Sequence, residues 1–290
     1  MAEGVFSKLD ESLQKALEER KWSPTPVQEV TQEEIASGGD RLVIAPTGSG
    51  KTMAAMLPLL DRCLKQKWQG MSILYITPLR ALNRDVDRRL DEITSAVGLR
   101  LGLRHGDTTQ SERTKQVRNP PNVMITTPET FQLMFTGSKL RELLKSVQAV
   151  VIDEVHEMAD GERGWQLSIG ISRLELFIGR RVQKIGLSAT VGNPEQVAKW
   201  LSNEAEAINA VAPRSTELAV DAIIQLPEDE IGSLELAISP RAHATLRGLA
   251  DIISKEHPCL IFVNSRNSAE TVSQRLSSIA PDLSIGVHHG

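Results

Sequence analysis

The sequence predicts an α/β fold built on a mainly parallel sheet, and three observations carry that expectation. Five short apolar runs, RLVIAP (41–46), SILYITP (72–78), VMITTP (123–128), AVVIDE (149–154) and KIGLSAT (184–190), are separated by longer helix-like segments. Their apolar character is continuous rather than alternating, as strands buried on both faces require, and the intervening helices supply the crossovers that parallel pairing needs. A glycine-rich stretch, APTGSGKT (45–52), follows the first run and opens a helical pattern.

Phe6, Leu9, Leu13 and Leu17 recur at helical spacing, and a second helix is expected from the prolines of SPTPVQ to just before Gly38 and Gly39. NPEQVAKWL (193–201) carries a helix start, with Asn193 as N-cap, Pro194 at the first position and Gln196 placed to complete a capping box. Residues 1–205 are expected to form a first domain. From 206 to 240 the pattern weakens into ELAVDAIIQ and the acidic PEDE, which reads as a linker. Residues 241–290 read as a partial second α/β domain with a helix over 241–256, a strand in PCLIFVNS and a helix over 265–279. Such a stretch is too short to close a sheet covered on both faces, so the chain is expected to be a fragment of something longer.

Composition narrows the function classes. A net charge of -4 argues against a protein that coats nucleic acid by charge alone, while leaving room for a local basic groove. One Tyr, five Phe and four Trp leave few rings for stacking on bases. Cys63 and Cys259 have no zinc-ligand spacing, and His288 and His289 have no acid or cysteine at ligand spacing, so a zinc site is not expected. No signal layout or membrane-length apolar run is present, which predicts a cytoplasmic, soluble protein without a membrane partner.

The strand–loop–helix context of APTGSGKT is that of a P-loop, whose backbone N–H groups wrap phosphate oxygens. Pro46, Thr47, Gly48, Ser49 and Gly50 would form the cradle, Lys51 would reach the β and γ phosphates, and Thr52 would offer its hydroxyl to Mg2+. Ala45 stands where the strict pattern has its first glycine. In a parallel sheet the ligand sits at the carboxyl ends of the strands, where AVVIDE delivers two acids. Asp153 would hold Mg2+ through its waters, and Glu154 would orient and deprotonate the water that attacks the γ-phosphate. His156 suits a relay to neighbouring segments better than a hard, oxygen-preferring ion.

With these residues the chain resembles the superfamily 2 helicases. TPVQ (25–28) is similar to the adenine-reading Q motif through Gln28, TPLRAL (77–82) to motif Ia, HGDT (105–108) to motif Ib and TTPE (126–129) to the next nucleic-acid contact. DEVH (153–156) resembles the DExH box, SAT (188–190) motif III and IFVNSR (261–266) motif IV. YITPLRALN, RHGDT, DEVHE, SATVGNPEQVAKWL and the terminal HHG resemble the large helicase-related (Lhr) group. The resemblance implies RecA-like lobes and an ATP- and Mg2+-dependent motor moving 3′ to 5′ on single-stranded or partly duplex nucleic acid, DNA rather than RNA, as a monomer. It implies coupling through His156, Ser188 and Thr190, and strand contacts at Pro78, Arg80, Gly106, Asp107, Thr127, Pro128 and Arg266. Motifs V and VI, with the family's arginine finger, do not occur before Gly290, so these residues alone are expected to bind ATP and hydrolyse it poorly.

Arg80, Arg84 and Arg88 fall on one helical face, but Asp85, Asp87 and Asp91 are interleaved, so a solvated face of ion pairs competes with a phosphate-gripping role. A translocase that does not separate strands, and a binding module with little catalysis of its own, stay open beside the helicase.

Overall fold

The computed structural model describes residues 4–78, 84–159, 161–189, 191–210, 218–255 and 258–288. The chain divides into two compact units, Met1–Pro213 and Arg214–Gly290.

In the first unit α1 (Glu11–Glu19) and α2 (Pro26–Ala36) precede β1 (Arg41–Ile44), α3 (Lys51–Lys65) and β2 (Ile73–Ile76). Then come α4 (Arg84–Ala96), β3 (Leu101–Arg104), α5 (Gln110–Arg118), β4 (Val123–Thr126), α6 (Pro128–Met134) and α7 (Ser138–Leu144). β5 (Ala149–Ile152), α8 (His156–Ala159), α9 (Glu162–Ile178), β6 (Gln183–Ser188), α10 (Pro194–Leu201) and β7 (Glu206–Asn209) complete it.

The strands form one seven-stranded sheet in the order β3-β4-β2-β5-β6-β1-β7, parallel throughout. Successive strand side chains point to opposite faces, and each face has its own core. Val43, Tyr75 and Val151 pack with Leu17 of α1, Ile35 of α2, Met56 of α3 and Ile93 of α4. Leu42, Leu74 and Val150 pack with Phe131 of α6, Met158 of α8, Leu174 of α9 and Leu201 of α10. Each such fully buried aliphatic side chain contributes about 1.5–3 kcal/mol, which explains why the five central runs are apolar without interruption.

Two strands were not among the five expected. β3 is an edge strand in which Leu103 is exposed and Gly102 has no side chain to pack, and β7 is an edge strand with little burial. The stretch 206–240, expected as a linker, therefore gives its first residues to the sheet through β7, whose Ala207 pairs with Leu42. The same stretch also contains α11 (Pro227–Glu235), which belongs to the second unit.

In the second unit α11 is followed by α12 (Pro240–Lys255) and α13 (Arg266–Ile279), around a small core of Leu246, Ala250 and Leu276. Asp229 of α11 has a fully buried side chain, which accepts from Nδ1 of His243 at 2.8 Å, from Nε of Arg247 at 3.0 Å and from the amide of Leu226 at 2.8 Å. The Arg247 bond and then the Leu226 amide hold its carboxyl far below the usual carboxylate range. The strand expected in PCLIFVNS is not formed: Leu260 is 87% and Phe262 89% exposed. A strand takes its hydrogen bonds from neighbours, and the described residues of this unit provide none.

Candidate nucleotide site and strand-facing edge

The strand order sorts the motif loops into two groups. β5, β6 and β1 are adjacent, so the loops that follow them, DEVH, SAT and APTGSGKT, leave the same edge side by side. β3, β4 and β2 are adjacent on the other side, and from them leave HGDT, TTPE and the start of TPLRAL. Chain order scatters these motifs; parallel pairing gathers them.

The phosphate loop has the backbone its chemistry needs. Gly48 and Gly50 have φ of 77° and 92°, a region open to glycine at little cost, and Gly50 is the N-cap of α3. A side-chain carbon at Gly48 would meet nothing within 4 Å, so the space beside the loop is open. Ala45 is fully buried, and its amide donates to the Ser188 carbonyl at 3.1 Å, so the missing first glycine is absorbed in the turn. Lys51 is 8% exposed, with Nζ donating to the carbonyls of Ala45 at 2.8 Å and Pro46 at 3.2 Å. Burial lowers the Lys51 pKa, and the charges of Glu154 and Asp153 act against that shift, so the loop and the acids share one electrostatic site.

Asp153 accepts from the Tyr75 hydroxyl at 2.6 Å and from the Glu154 amide at 3.0 Å. The same hydroxyl lies 3.5 Å from Thr52 Oγ1, so one group on β2 touches both expected metal-binding residues. Burial raises the pKa of Asp153, opposed first by the Tyr75 bond. Glu154 has φ of 46°, a left-handed conformation that costs a non-glycine residue about 1–3 kcal/mol. The turn holds it there through bonds from the Val155 amide to the Leu187 carbonyl at 2.9 Å and from the Glu157 amide to the Glu154 carbonyl at 2.9 Å. Burial and then the Asp153 charge raise the Glu154 pKa.

Glu154 Oε2 and Ser49 Oγ are buried without a hydrogen-bond partner. Buried polar atoms are nearly always paired, and here the two orphans border the loop and the acid pair, so the donor set fits a hydrated Mg2+ nucleotide. Among the described residues no group of three or more His, Cys, Asp or Glu is arranged to hold a metal through protein ligands alone. His156 Nδ1 lies 3.0 Å from Ser188 Oγ and 3.6 Å from Glu154 Oε2, which joins DEVH to β6.

Gln28 is 7% exposed, with Oε1 accepting from the Thr25 amide at 3.1 Å and Nε2 donating to the Gly50 carbonyl at 3.4 Å. It thus braces the phosphate loop from α2. Thr127 is 3% exposed and its hydroxyl caps α6 by accepting from the Thr130 amide, while Pro128 is buried at the first helical position. Gly106 and Asp107 are exposed, and Pro78 is half-buried. Arg266 opens α13 and is exposed on the second unit. Arg88 pairs with Glu92 at 4.0 Å on a solvated face. Arg80, Thr190 and His289, and the side chains of Arg84, Asp85 and Asp87, lie outside the described residues.

Sequence reasoning missed Tyr75 and Arg113. Tyr75 is the chain's one tyrosine, set in an all-apolar strand, and a buried phenol needs a partner. Arg113 donates to the carbonyls of Thr108 at 2.9 Å, His105 at 3.2 Å and Gly106 at 3.0 Å, bracing the HGDT loop from α5.

Residues 25–197 match the DEAD/DEAH box helicase family model. The Lhr helicase/probable uracil glycosylase of Mycolicibacterium smegmatis is 37% identical over 278 residues, which are 90% of this chain and 18% of that protein. The ATP-dependent helicase Lhr-Core of Methanothermobacter thermautotrophicus is 35% identical over 292 residues, 91% of this chain and 33% of that protein. This chain thus spans between about a fifth and a third of the length of these curated relatives. Among solved structures, the Mycobacterium smegmatis helicase Lhr bound to ssDNA and AMP-PNP superposes with a TM-score of 0.74 at 33% identity, covering 97% of this chain and 37% of that one. The family match spans more than half of the chain and takes in the glycine-rich loop, the acid pair and the loops after β2, β3 and β4, so the chain belongs to the DEAD/DEAH box helicase family.

Proposed function

We propose that the chain is the ATP-binding part of a nucleic-acid-dependent ATPase and helicase of the Lhr kind. The observation that carries this reading is the Tyr75 hydroxyl, which lies 2.6 Å from Asp153 and 3.5 Å from Thr52 and so joins the two residues that would share a Mg2+ ion. In this reading Pro46, Thr47, Gly48, Ser49 and Gly50 wrap the phosphates, Lys51 neutralises the β and γ oxygens, and Gln28 adds a contact to the base. Thr52 and Asp153 hold Mg2+, which when bound draws charge from the phosphate oxygens. Glu154 takes the proton of the attacking water, and His156, Ser188 and Thr190 carry the change of state to the strand-facing loops. Pro78, Arg80, Gly106, Asp107, Pro128 and Arg266 follow a strand by its phosphates. Thr127 acts by shaping its loop, since its hydroxyl caps α6. DNA is the favoured strand, because the Lhr structure to which this chain is similar is bound to ssDNA.

The test is ATP turnover by the whole protein with single-stranded DNA, single-stranded RNA, duplex or nothing added. Single-stranded DNA is expected to raise the rate most; a rate indifferent to every nucleic acid overturns the reading.

A further inference from the structure

Beside the strand-facing edge, α5 and α7 border a cavity of about 500 Å3 that no motif accounts for. Four cations line it, Arg104, Arg113, Arg118 and Lys139, together with the polar side chains of Gln110, Thr114 and Ser138 and, among the described residues, no carboxylate. The acids carried by the two helices are engaged elsewhere. Glu112 accepts from the Thr109 amide and hydroxyl at 3.0 and 2.7 Å, and Glu142 pairs with Lys145 at 2.6 Å.

Arg104 is 5% exposed, and its one side-chain hydrogen bond among the described residues, to Gln116 Oε1 at 2.9 Å, leaves most of the guanidinium donors for the cavity. Burial and then the neighbouring charge of Arg113 lower its pKa. Arg118 and Lys139 are exposed at the rim and have no ion-pair partner among the described residues. A buried arginine, a second arginine fixed by three carbonyls and two rim cations form a concave positive site, and fork-shaped guanidinium donors match phosphate oxygens.

We propose that this cavity binds a phosphate of the nucleic-acid backbone, as an anchor outside the motif loops. The inference rests on the reading that the HGDT loop faces a strand. Arg113 connects the two, because it lines the cavity while holding the carbonyls of His105, Gly106 and Thr108. A phosphate seated there is tied to the same scaffold as the loop beside it. Phosphate contacts of this kind add affinity and register without reading bases.

The experiment compares the whole protein with its Arg118→Glu/Lys139→Glu variant, both changes being at exposed rim positions. One arm titrates a fluorescent single strand at salt concentrations from about 50 to 200 mM. Loss of two contacts is expected to flatten the slope of log K against log salt by about 1.4, and to weaken binding about tenfold or more at about 0.1 M salt. Arg118→Ala/Lys139→Ala is expected to shift the slope in the same direction, and unchanged binding of a fluorescent ATP analogue shows that the fold is intact. A second arm titrates pyrophosphate by calorimetry with the nucleotide site filled by the ATP analogue, so that heat lost in the variant reports free-anion binding by the cavity. An unchanged slope overturns the proposal; so does an unchanged slope with lost pyrophosphate binding, which would make the cavity a small-anion site. If the unaltered protein binds no strand at all, the functional reading fails with it, whereas binding by both proteins alike removes only this cavity.

Discussion

The hydroxyl of Tyr75 on β2 donates to Asp153 Oδ2 at the end of β5 across 2.6 Å, with the tyrosine ring fully buried. A hydrogen bond to a charged acceptor contributes about 1.5–3 kcal/mol, and here it fixes the rotation of the carboxylate expected to hold Mg2+. Tyr75→Phe keeps the ring and removes the donor. The variant is expected to bind Mg-ATP about tenfold more weakly while binding ATP in EDTA as the parent does. A titration with a fluorescent nucleotide, with and without the metal, checks this; equal losses in both conditions would reduce Tyr75 to a packing residue.

Glu154→Gln preserves shape and removes the proposed base. Nucleotide binding by the whole protein is expected to survive, and strand-stimulated turnover to fall by about 10^2–10^4, the range of a lost general base. Turnover within a few-fold of the parent would assign the base elsewhere.

The left-handed backbone of Glu154, with φ of 46°, makes a second substitution at this position informative. Glycine adopts this conformation without the steric cost, and it also removes a carboxylate whose pKa burial has raised. Glu154→Gly is expected to raise the unfolding free energy by about 1 kcal/mol while abolishing turnover. Denaturant melts read the first effect, and a fall in stability would show that the side chain supports the turn.

Asp153 and Glu154 both have pKa values raised by burial, so the folded protein keeps their protons at pH values where the unfolded chain has lost them. Between the unfolded values, about 3.9 and 4.3, and the higher folded ones, the native state binds more protons. Stability contributed by these two groups therefore falls as pH rises through that window. The Asp153→Asn/Glu154→Gln protein is expected to lose this component, so that its stability relative to the parent improves as pH rises from about 4. A pH-independent difference between the two proteins would contradict the burial argument.

Asp229 follows the opposite sign. Its carboxyl is held well below the ordinary range by Arg247, so its contribution is present above the unfolded carboxylate pKa and is lost as pH falls through the folded value. Asp229→Ala leaves His243 and Arg247 facing each other without their common acceptor. Amides of α11 and α12 are expected to exchange hydrogen faster, with those of β1 and β5 unchanged; protection retained in α11 would mean that apolar contacts alone hold the pair.

Five central strands were legible because burial on both faces forces unbroken apolar runs, as in AVVI of β5. Edge strands escape that rule, since one side of β3 and β7 has no neighbour to demand apolar residues. The same rule misled at PCLIFVNS, where the composition of a strand is present and its pairing is not. At the site, an approach of Lys51 to Asp153 and Glu154 was expected because parallel strands deliver the loops that follow them to one edge, and the charges of the two acids do act on Lys51. The Tyr75 bond did not, because it depends on the register that sets Tyr75 opposite Val151. Arg113 and the Asp229 cluster depend on side chains that meet only after helices dock, which no local pattern encodes.

Sheet order also sets how far a signal must travel. The strands β5, β6 and β1, whose loops are proposed to hold nucleotide, meet β3, β4 and β2, whose loops are proposed to follow nucleic acid, along one seam where β2 lies against β5. Thermodynamic linkage makes any cooperativity between two bound partners reciprocal, so a substitution on this seam can loosen the dependence of each affinity on the other while leaving both separate affinities in place. If the loops bind as proposed, uncoupled variants are expected to cluster at seam positions such as Leu74 and Val150, rather than at the groups that touch either partner.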